Sequence, residues 1–484
     1  MNVAPEHGTG GETEVNKWEV LGIVAAGVFM ATLDTSVVNI SLPSIARHFG
    51  RPFSAAVEWV VIAYLVVIAS LLLTIGRLSD LIGRRRIWAS GLAIFTLGSA
   101  LCGAAPSLGL LIACRALQGV GGAMIMAISP AMLIAAFPAS ERGRAIGLNA
   151  VFVALGVSTG PTLGGLITEH LSWRWIFYVN LPVGAGGLIA TMRVLPKSTA
   201  RPGGRFDPAG AALLGVGLAG LTGALSIGGE RGWSSRLVLA AFAAAALAFT
   251  AFVVVERRAA HPLFDFSLFR NRVFSSATAS LVLSFVAMFM VAFMMPFYLE
   301  ELRGFSPARS GAFLTPLPLT LAVVAPLAGT LADRVGTRGL AFAGLAACSL
   351  SLLLIGTLDA RTSGAGIVGR MALAGLGQGL FQTPNNSALM GAAPRAQQGL
   401  ASGLLATGRV VGQSLSVALA GAIWVGSGGA TAGRALLSAA PAAAAPLQYA
   451  FAASFRATLW VSAAIAAVGA FVSLTRGRDV SSRS

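Results

Sequence analysis

Long apolar runs alternate with short polar stretches along the whole chain. Fourteen of these runs are about 20 residues long, the length that an α-helix needs to cross a bilayer. They lie at about 18–40, 57–77, 87–105, 109–136, 144–168, 175–195, 209–228, 236–255, 276–298, 309–331, 338–357, 365–391, 399–424 and 456–474. The pattern predicts an all-α integral membrane protein with fourteen transmembrane helices.

The composition favours the same class. Hydrophobic residues make up 56% of the chain and charged residues 11%, and the mean hydropathy is +0.79. Because soluble domains carry about 25% charged residues, a string of soluble domains is excluded. Cys102, Cys114 and Cys348 all lie in apolar runs, so we expect no disulfide framework, no metal site and no cofactor.

A short polar segment occurs twice, at 76–86 and at 329–339, each time between two apolar runs. Five residues recur at the same offsets: Gly76, Leu78, Asp80, Gly83 and Arg85 return as Gly329, Leu331, Asp333, Gly336 and Arg338. The first copy follows run two and the second follows run ten, so two extra runs lie in the middle. Internal repeats of this kind are typical of transporters that bind substrate between the repeats.

The repeat divides the chain into two six-helix halves, at 18–195 and 273–475. A linker at 196–272 carries the two extra helices, at about 209–228 and 236–255. Residues 1–17 and 476–484 are expected to be tails on the cytoplasmic side.

The net charge of +16 does not indicate nucleic-acid binding, because the basic residues are sorted by membrane side. If the N-terminus is cytoplasmic, the loops on that side hold 21 of the 34 basic residues. That excess places both termini in the cytoplasm and provides charge that attracts lipid headgroups. The first apolar run is long, contains Asp34 and is followed by further runs, so it is not a cleaved signal peptide.

Four further segments complete a family resemblance. They are Leu-Asp-Thr-Ser-Val-Val-Asn-Ile-Ser-Leu-Pro at 33–43, Arg-Ala-Leu-Gln-Gly-Val-Gly-Gly-Ala at 115–123, the glycines and proline of 156–165, and Trp-Arg-Trp-Ile-Phe-Tyr-Val-Asn-Leu-Pro at 173–182. Together with the loop at 76–86, they resemble the major facilitator superfamily, specifically its fourteen-helix drug:proton antiporter branch. The resemblance covers about residues 18–475.

The resemblance implies a monomeric exporter of amphipathic small molecules in the bacterial plasma membrane, driven by protons. It also implies two sets of residues that govern the conformational change. The loop set is an intracellular latch made of Gly76, Asp80, Gly83, Arg84 and Arg85, with Asp333 as a weaker second copy. The fifth-helix set is Gly156, Gly160, Pro161, Gly164 and Gly165, a smooth face that is typical of close helix packing.

Two ionisable residues inside apolar runs are the candidates for proton coupling. Asp34 is the only acid that we place well inside a run, and an ionisable group there is functional by default. Low dielectric favours the neutral acid, so Asp34 is expected to bind a proton or a cationic substrate alternately. Arg115 lies a few residues into the fourth run and must be paired or hydrated; the resemblance implies a role in proton transfer.

The resemblance implies a cavity between helices one, four, nine and twelve. Phenylalanines with neighbouring methionines on helix nine, and amides on helix twelve, suit amphipathic ligands. The candidate substrate-contacting residues are Asp34, Asn39, Gln118, Met126, Phe285, Phe289, Phe293, Gln378, Gln382 and Asn385.

The same residues bear on other possible functions. An ATP-driven pump is excluded because neither lysine follows a glycine as a phosphate-binding loop requires. An enzyme is not expected, since the four histidines are scattered. A proton-coupled uptake symporter, or a lipid or metabolite transporter of the same fold, is the alternative. A non-transporting receptor or scaffold is a further one, although it would not need Asp34 and Arg115 inside helices.

Overall fold

The structure is a computed structural model, and it describes residues 16–51, 54–138, 140–196, 208–258, 266–394, 397–438 and 444–476. The predicted tails, except for residues 16, 17 and 476, and the first part of the predicted linker therefore lie outside the described residues. The described chain is helical almost throughout and contains no strand. This confirms the all-α prediction.

Seven helices make up the first half. They are α1 (Lys17–His48), α2 (Ala55–Ile82), α3 (Arg84–Ala104), α4 (Leu108–Ala136), α5 (Arg142–His170), α6 (Trp175–Tyr178) and α7 (Asn180–Val194). The short α6 and α7 together form the sixth membrane span. The extra pair follows as α8 (Pro208–Arg231) and α9 (Arg236–Arg258).

Eight helices make up the second half. They are α10 (Arg272–Phe297), α11 (Pro307–Leu314), α12 (Pro316–Val335), α13 (Thr337–Gly356), α14 (Gly364–Ala392), α15 (Gln398–Gly426), α16 (Gly429–Ser438) and α17 (Ala444–Leu474). Within the described residues, 13 segments are long and apolar enough to cross a membrane. The fourteenth predicted span is α14, whose amides and Arg370 lower its hydropathy.

Two spans are interrupted where proline occurs. Pro316 begins α12 and separates it from α11, because proline cannot continue the hydrogen-bond ladder of the preceding helix. Pro296 precedes a π-helical turn at Tyr298–Leu302 that extends α10. The pattern of apolar residues predicted neither break, and it did not predict α16.

The repeated polar segment forms the same turn in both halves. Gly83 joins α2 to α3 with φ of +102°, and Gly336 joins α12 to α13 with φ of +86°. Residues with a Cβ rarely adopt this conformation, so glycine is required at both positions. The predicted duplication is therefore present in the backbone as well as in the sequence.

The two halves meet mainly along three helix pairs: α1 with α10, α2 with α15, and α5 with α11. We call the end of the bundle where α1 ends and α2 begins the far end, and the opposite end the near end. At the far end, Arg47 of α1 forms an ion pair with Glu300 across the halves, at 2.6 Å. The extra helix α8 packs on both α2 and α15 and so covers the outside of that pair.

Candidate functional site

The ionisable residues predicted for proton coupling form a direct ion pair. Asp34 lies midway along α1 and Arg115 lies two turns into α4, and both side chains are inaccessible to solvent. Nη1 of Arg115 donates to Oδ2 of Asp34 at 2.6 Å. The two charges therefore cancel inside the membrane, where an isolated charge is costly.

Amides complete the shell of Asp34. Gln118 lies one turn after Arg115 on α4, and its Nε2 donates to Oδ1 of Asp34 at 2.9 Å. Nδ2 of Asn180, at the start of α7, donates to the same oxygen at 3.0 Å. Ser99 of α3 accepts a hydrogen bond from each of these two amides. Side chains of α4 and α7 thus bond directly to the carboxylate on α1, and Ser99 of α3 supports both amides.

Arg115 is held on its other sides as well. Its Nε donates to the carbonyl oxygen of Val60 at 3.0 Å, and its Nη1 donates to Oε1 of Gln118 at 2.6 Å. The guanidinium carbon lies 4.1 Å from the ring centroid of Tyr64 and 5.8 Å from that of Phe177. Rings at this range stabilise a desolvated cation.

The arrangement changes one expectation from the sequence. Asp34 is not an isolated acid, and in this structure its carboxylate faces Arg115, Gln118 and Asn180 and is closed to solvent. The sequence reasoning did not assign Ser99, Asn180 or Tyr64 to the site. Asn180 belongs to a segment that already resembled the family, so its polarity within that segment was an available signal.

Three predicted glycines of α5 pack directly against the Asp34 region of α1. A side chain at Gly156 would strike Thr32, one at Gly160 would strike Ser36, and one at Gly164 would lie 2.6 Å from Ile40. Ser36 also donates to the carbonyl oxygen of Val157 at 3.0 Å. Thr32 and Ser36 lie two residues before and after Asp34, so α5 packs directly beside the residue that pairs with Arg115.

The remaining residues of the α5 set contact the second half of the molecule. Gly165 lies against the carbonyl group of Pro307, and Gly311 lies against the carbonyl group of Pro161. Close by, the hydroxyl groups of Thr162 and Thr315 are 2.6 Å apart. This reciprocal contact between α5 and α11 joins the two halves near the far end of the bundle.

The loop set lies at the near end. Arg84 donates to the carbonyl oxygen of Ala131 on α4, and Arg85 donates to that of Met192 on α7, at 3.0 and 2.7 Å. Gly76 lies within α2 with open space around it. The side chain of Asp80 lies outside the described part of the chain, and Asp333 is exposed.

The candidate substrate-contacting residues do not all face open space. Phe289 and Met126 are half-buried, and Phe285 is 9% exposed. Phe293 is fully enclosed and packs on Phe297. Asn39 is also buried, and its Oδ1 has no hydrogen-bond partner among the described residues.

The three candidate amides of α14 also differ from one another in burial and in their hydrogen bonds. Gln378 accepts a hydrogen bond from Ser284 of α10 at 3.1 Å, so it joins the two helices. Asn385 is fully buried and donates to the carbonyl oxygen of Ala277 at 3.1 Å. Gln382 is half-buried.

A second buried acid was missed from the sequence. Glu58 is in the first turn of α2, has no exposed surface, and lies where α2 meets Gly421 of α15. Ser226 of α8 is the hydroxyl group that faces it. The signal was an acid at the start of a very apolar run, a position more often occupied by exposed residues.

Comparison with known proteins agrees with this architecture. A family model described as Major Facilitator Superfamily matches residues 24–417. The chain is 36% identical over 412 residues to the multidrug resistance protein Stp of Mycobacterium tuberculosis, covering 84% of this chain and 76% of that protein. It is 34% identical over 403 residues to the riboflavin transporter RibZ of Clostridioides difficile, covering 83% and 87%.

A solved structure supports the fold. It is a bacterial homologue of the human lysosomal transporter Spinster in an inward-facing, unoccupied conformation, with a TM-score of 0.67, 16% identity, and coverage of 96% of this chain and 97% of that one. The duplicated halves, the repeated glycine turn and the family match lead to one assignment. The chain belongs to the major facilitator superfamily, has relatives of the drug-efflux type, and is a multi-pass membrane transporter and not an enzyme.

Proposed function

We propose that the chain is a proton-coupled antiporter that exports amphipathic small molecules by alternating access. The observation that carries this proposal is the buried Asp34–Arg115 pair on α1 and α4. A carboxylate inside the membrane that can lose its charge by binding a proton is the simplest carrier of protons across the bilayer.

The geometry supplies a reason why proton binding would be coupled to movement. All three partners of Asp34 donate hydrogen bonds to it, so a protonated Asp34 would no longer match them. Proton uptake therefore requires the pair to separate, and separation moves α1 relative to α4. Since α1 also touches α10 and α11 of the second half, this motion reaches the interface between the halves.

Direction and energy source follow from the same scheme. We propose that the protein acts as a monomer in the bacterial plasma membrane with both termini in the cytoplasm, so that the far end faces outward. Protons arriving from the acidic outside would neutralise Asp34 and favour the return of the empty carrier. The membrane potential contributes about 2.3 kcal/mol per charge per 100 mV, enough for one or two protons to sustain a steep substrate gradient.

The names of the relatives bear on the cargo. Stp is named a multidrug resistance protein, which supports efflux of varied compounds. RibZ is named a riboflavin transporter, which supports the second candidate function, transport of a metabolite in the uptake direction. We favour efflux because the predicted antiporter face of α5 is the surface that packs on Thr32 and Ser36 beside Asp34.

Everted membrane vesicles test the proposal. Substrate accumulation should occur with an imposed pH gradient in ATP-depleted vesicles, should collapse on addition of a protonophore, and should be lost in the Asp34→Asn variant. Glu19→Gln, an exposed acid in the first turn of the same helix α1, is the matched control and should retain accumulation. Accumulation that needs ATP and ignores the pH gradient would overturn the antiporter proposal.

A further inference from the structure

One side chain on α15 carries a charge that the Asp34–Arg115 ion pair does not neutralise. Arg409 lies close to the middle of α15 and is half-buried. No acidic side chain of the described residues pairs with it. By contrast, Arg115 has Asp34 at 2.6 Å. A positive charge in the interior of a membrane protein without a counter-charge calls for a functional explanation.

The helix contacts of α15 show which way Arg409 faces. On α15, Gly403 lies against Leu73 of α2 and Gly421 lies against Glu58 of α2. Because these two glycines are five full turns apart, they lie on the same side of α15, the side that faces α2. Gly408 and Gly412 lie against Val282 and Phe285 of α10 on roughly the opposite side. The surface of α15 therefore has two further flanks, one on each side, between the side that faces α2 and the side that faces α10.

The extra helix occupies one of the flanks. Ala422 and Val425 of α15 contact Gly229 of α8, which covers the outside of the α2–α15 pair. At about 100° per residue, Arg409 falls on the other flank. Because α1 touches both α2 and α10, that flank looks into the space that these three helices enclose. Gln413, one turn later on the same flank, is also half-buried.

An aromatic surface lies beside the charge. The guanidinium carbon of Arg409 is 5.7 Å from the ring centroid of Phe285 on α10. Phe289, one turn along α10, is half-buried on the same side. The interior of the bundle therefore offers a planar cation, aromatic rings and an amide, but no free carboxylate among these neighbours, since the carboxylate of Asp34 is enclosed.

We propose that the cargo of the proposed antiporter is an aromatic organic anion, whose acidic group pairs with Arg409 and whose rings pack on Phe285 and Phe289. A guanidinium presents a fork of N–H donors that matches a carboxylate or a comparable oxyanion. This rests on the proposed function for the transport step, whereas the binding site itself rests on the geometry around Arg409.

Two xanthene dyes of similar shape and opposite charge test the site: fluorescein, an anion, and rhodamine 123, a cation. Binding is measured by fluorescence polarisation with the purified full-length protein in detergent. Fluorescein should bind, and Arg409→Gln should weaken that binding about ten- to a hundredfold, as expected for loss of hydrogen bonds to a charged group. Arg409→Lys should lose less, and Arg409→Glu should shift the preference to rhodamine 123.

Arg370→Gln is the matched control. Arg370 is also half-buried in the second half, but it donates to Gly366 and Thr357 at the far end of α14 and should leave fluorescein binding unchanged. Melting temperature separates binding from folding: because Arg409 has no acidic partner, Arg409→Gln should melt at the same or a higher temperature. A lower melting temperature with unchanged fluorescein affinity would assign Arg409 a structural role and overturn the inference.

The binding assay also separates this inference from the antiporter proposal. Arg409-dependent fluorescein binding without gradient-driven transport would leave the site standing and refute antiport. Gradient-driven transport of rhodamine 123, with equal fluorescein affinity in wild type and Arg409→Gln, would leave antiport standing and refute the anion site.

Discussion

The Asp34–Arg115 pair makes a quantitative prediction about stability. Asp34→Asn leaves the fully buried guanidinium of Arg115 without a counter-charge. It also replaces an oxygen by an NH2 group where three donors converge. Removing one partner of a buried pair costs about 3–5 kcal/mol, and we expect the lower end of that range because Arg115 keeps its bonds to Val60 and Gln118.

A double-mutant cycle measured by SDS titration in mixed micelles checks this reasoning. Combining Asp34→Asn with Arg115→Gln removes the orphaned charge, so the double variant should lose less unfolding free energy than the two single variants together. The coupling should approach about 3 kcal/mol. The control is the pair of Lys17 and Glu141, which has the same 2.6 Å separation but side chains 31% and 36% exposed.

The control pair should couple by no more than about 1 kcal/mol, as exposed pairs do. Additive effects at Asp34 and Arg115 would refute the idea that burial makes this pair strong. A coupling at the exposed pair as large as at the buried one would refute it equally, because the separations are identical.

Three further predictions concern packing, backbone and pH. Gly164→Leu should strongly reduce transport by forcing α5 away from α1, whereas Gly147→Leu, in open space on α5, should not; transport rates at equal expression decide. Gly83→Ala should cost about 1–3 kcal/mol and slow transport without changing substrate affinity in detergent, because φ is +102° there; a large change in affinity would argue against a role confined to the turn. In the loop after α13, the hydroxyl group of Thr362 donates to the carboxylate of Asp359 and lowers its pKa. The stability that this carboxylate contributes is therefore present above its ordinary pKa and is lost as the pH falls through the lowered value. NMR titration of Thr362→Val should show a higher pKa for Asp359, and an unchanged pKa would contradict the assignment.

The helices and their duplication were predictable because they depend on local signals. Apolar runs of membrane-spanning length gave the helices, and a repeated glycine gave the turns at Gly83 and Gly336. The breaks at Pro316 and after Pro296 were less accessible, since transmembrane helices tolerate proline at some positions and not at others.

The contacts within the site were not predictable in the same way. Asp34 and Arg115 stood out as ionisable groups, but they are 81 residues apart, and Asn180 is 146 residues from Asp34. Membrane helices are apolar on nearly all sides, so their periodicity does not show which face meets which neighbour. For the same reason, the sequence pattern did not show that Glu58 is buried or on which side of α15 Arg409 lies.

The central claim is that Asp34 exchanges its proton as substrate is carried across the membrane. The most direct test is proton flux from purified protein in proteoliposomes, followed with a trapped pH-sensitive dye when a transported substrate is added without ATP. The account predicts substrate-driven proton flux in wild type and in Glu19→Gln, and none in Asp34→Asn after correction for the folded, reconstituted fraction. Full proton flux in the Asp34→Asn protein would contradict it.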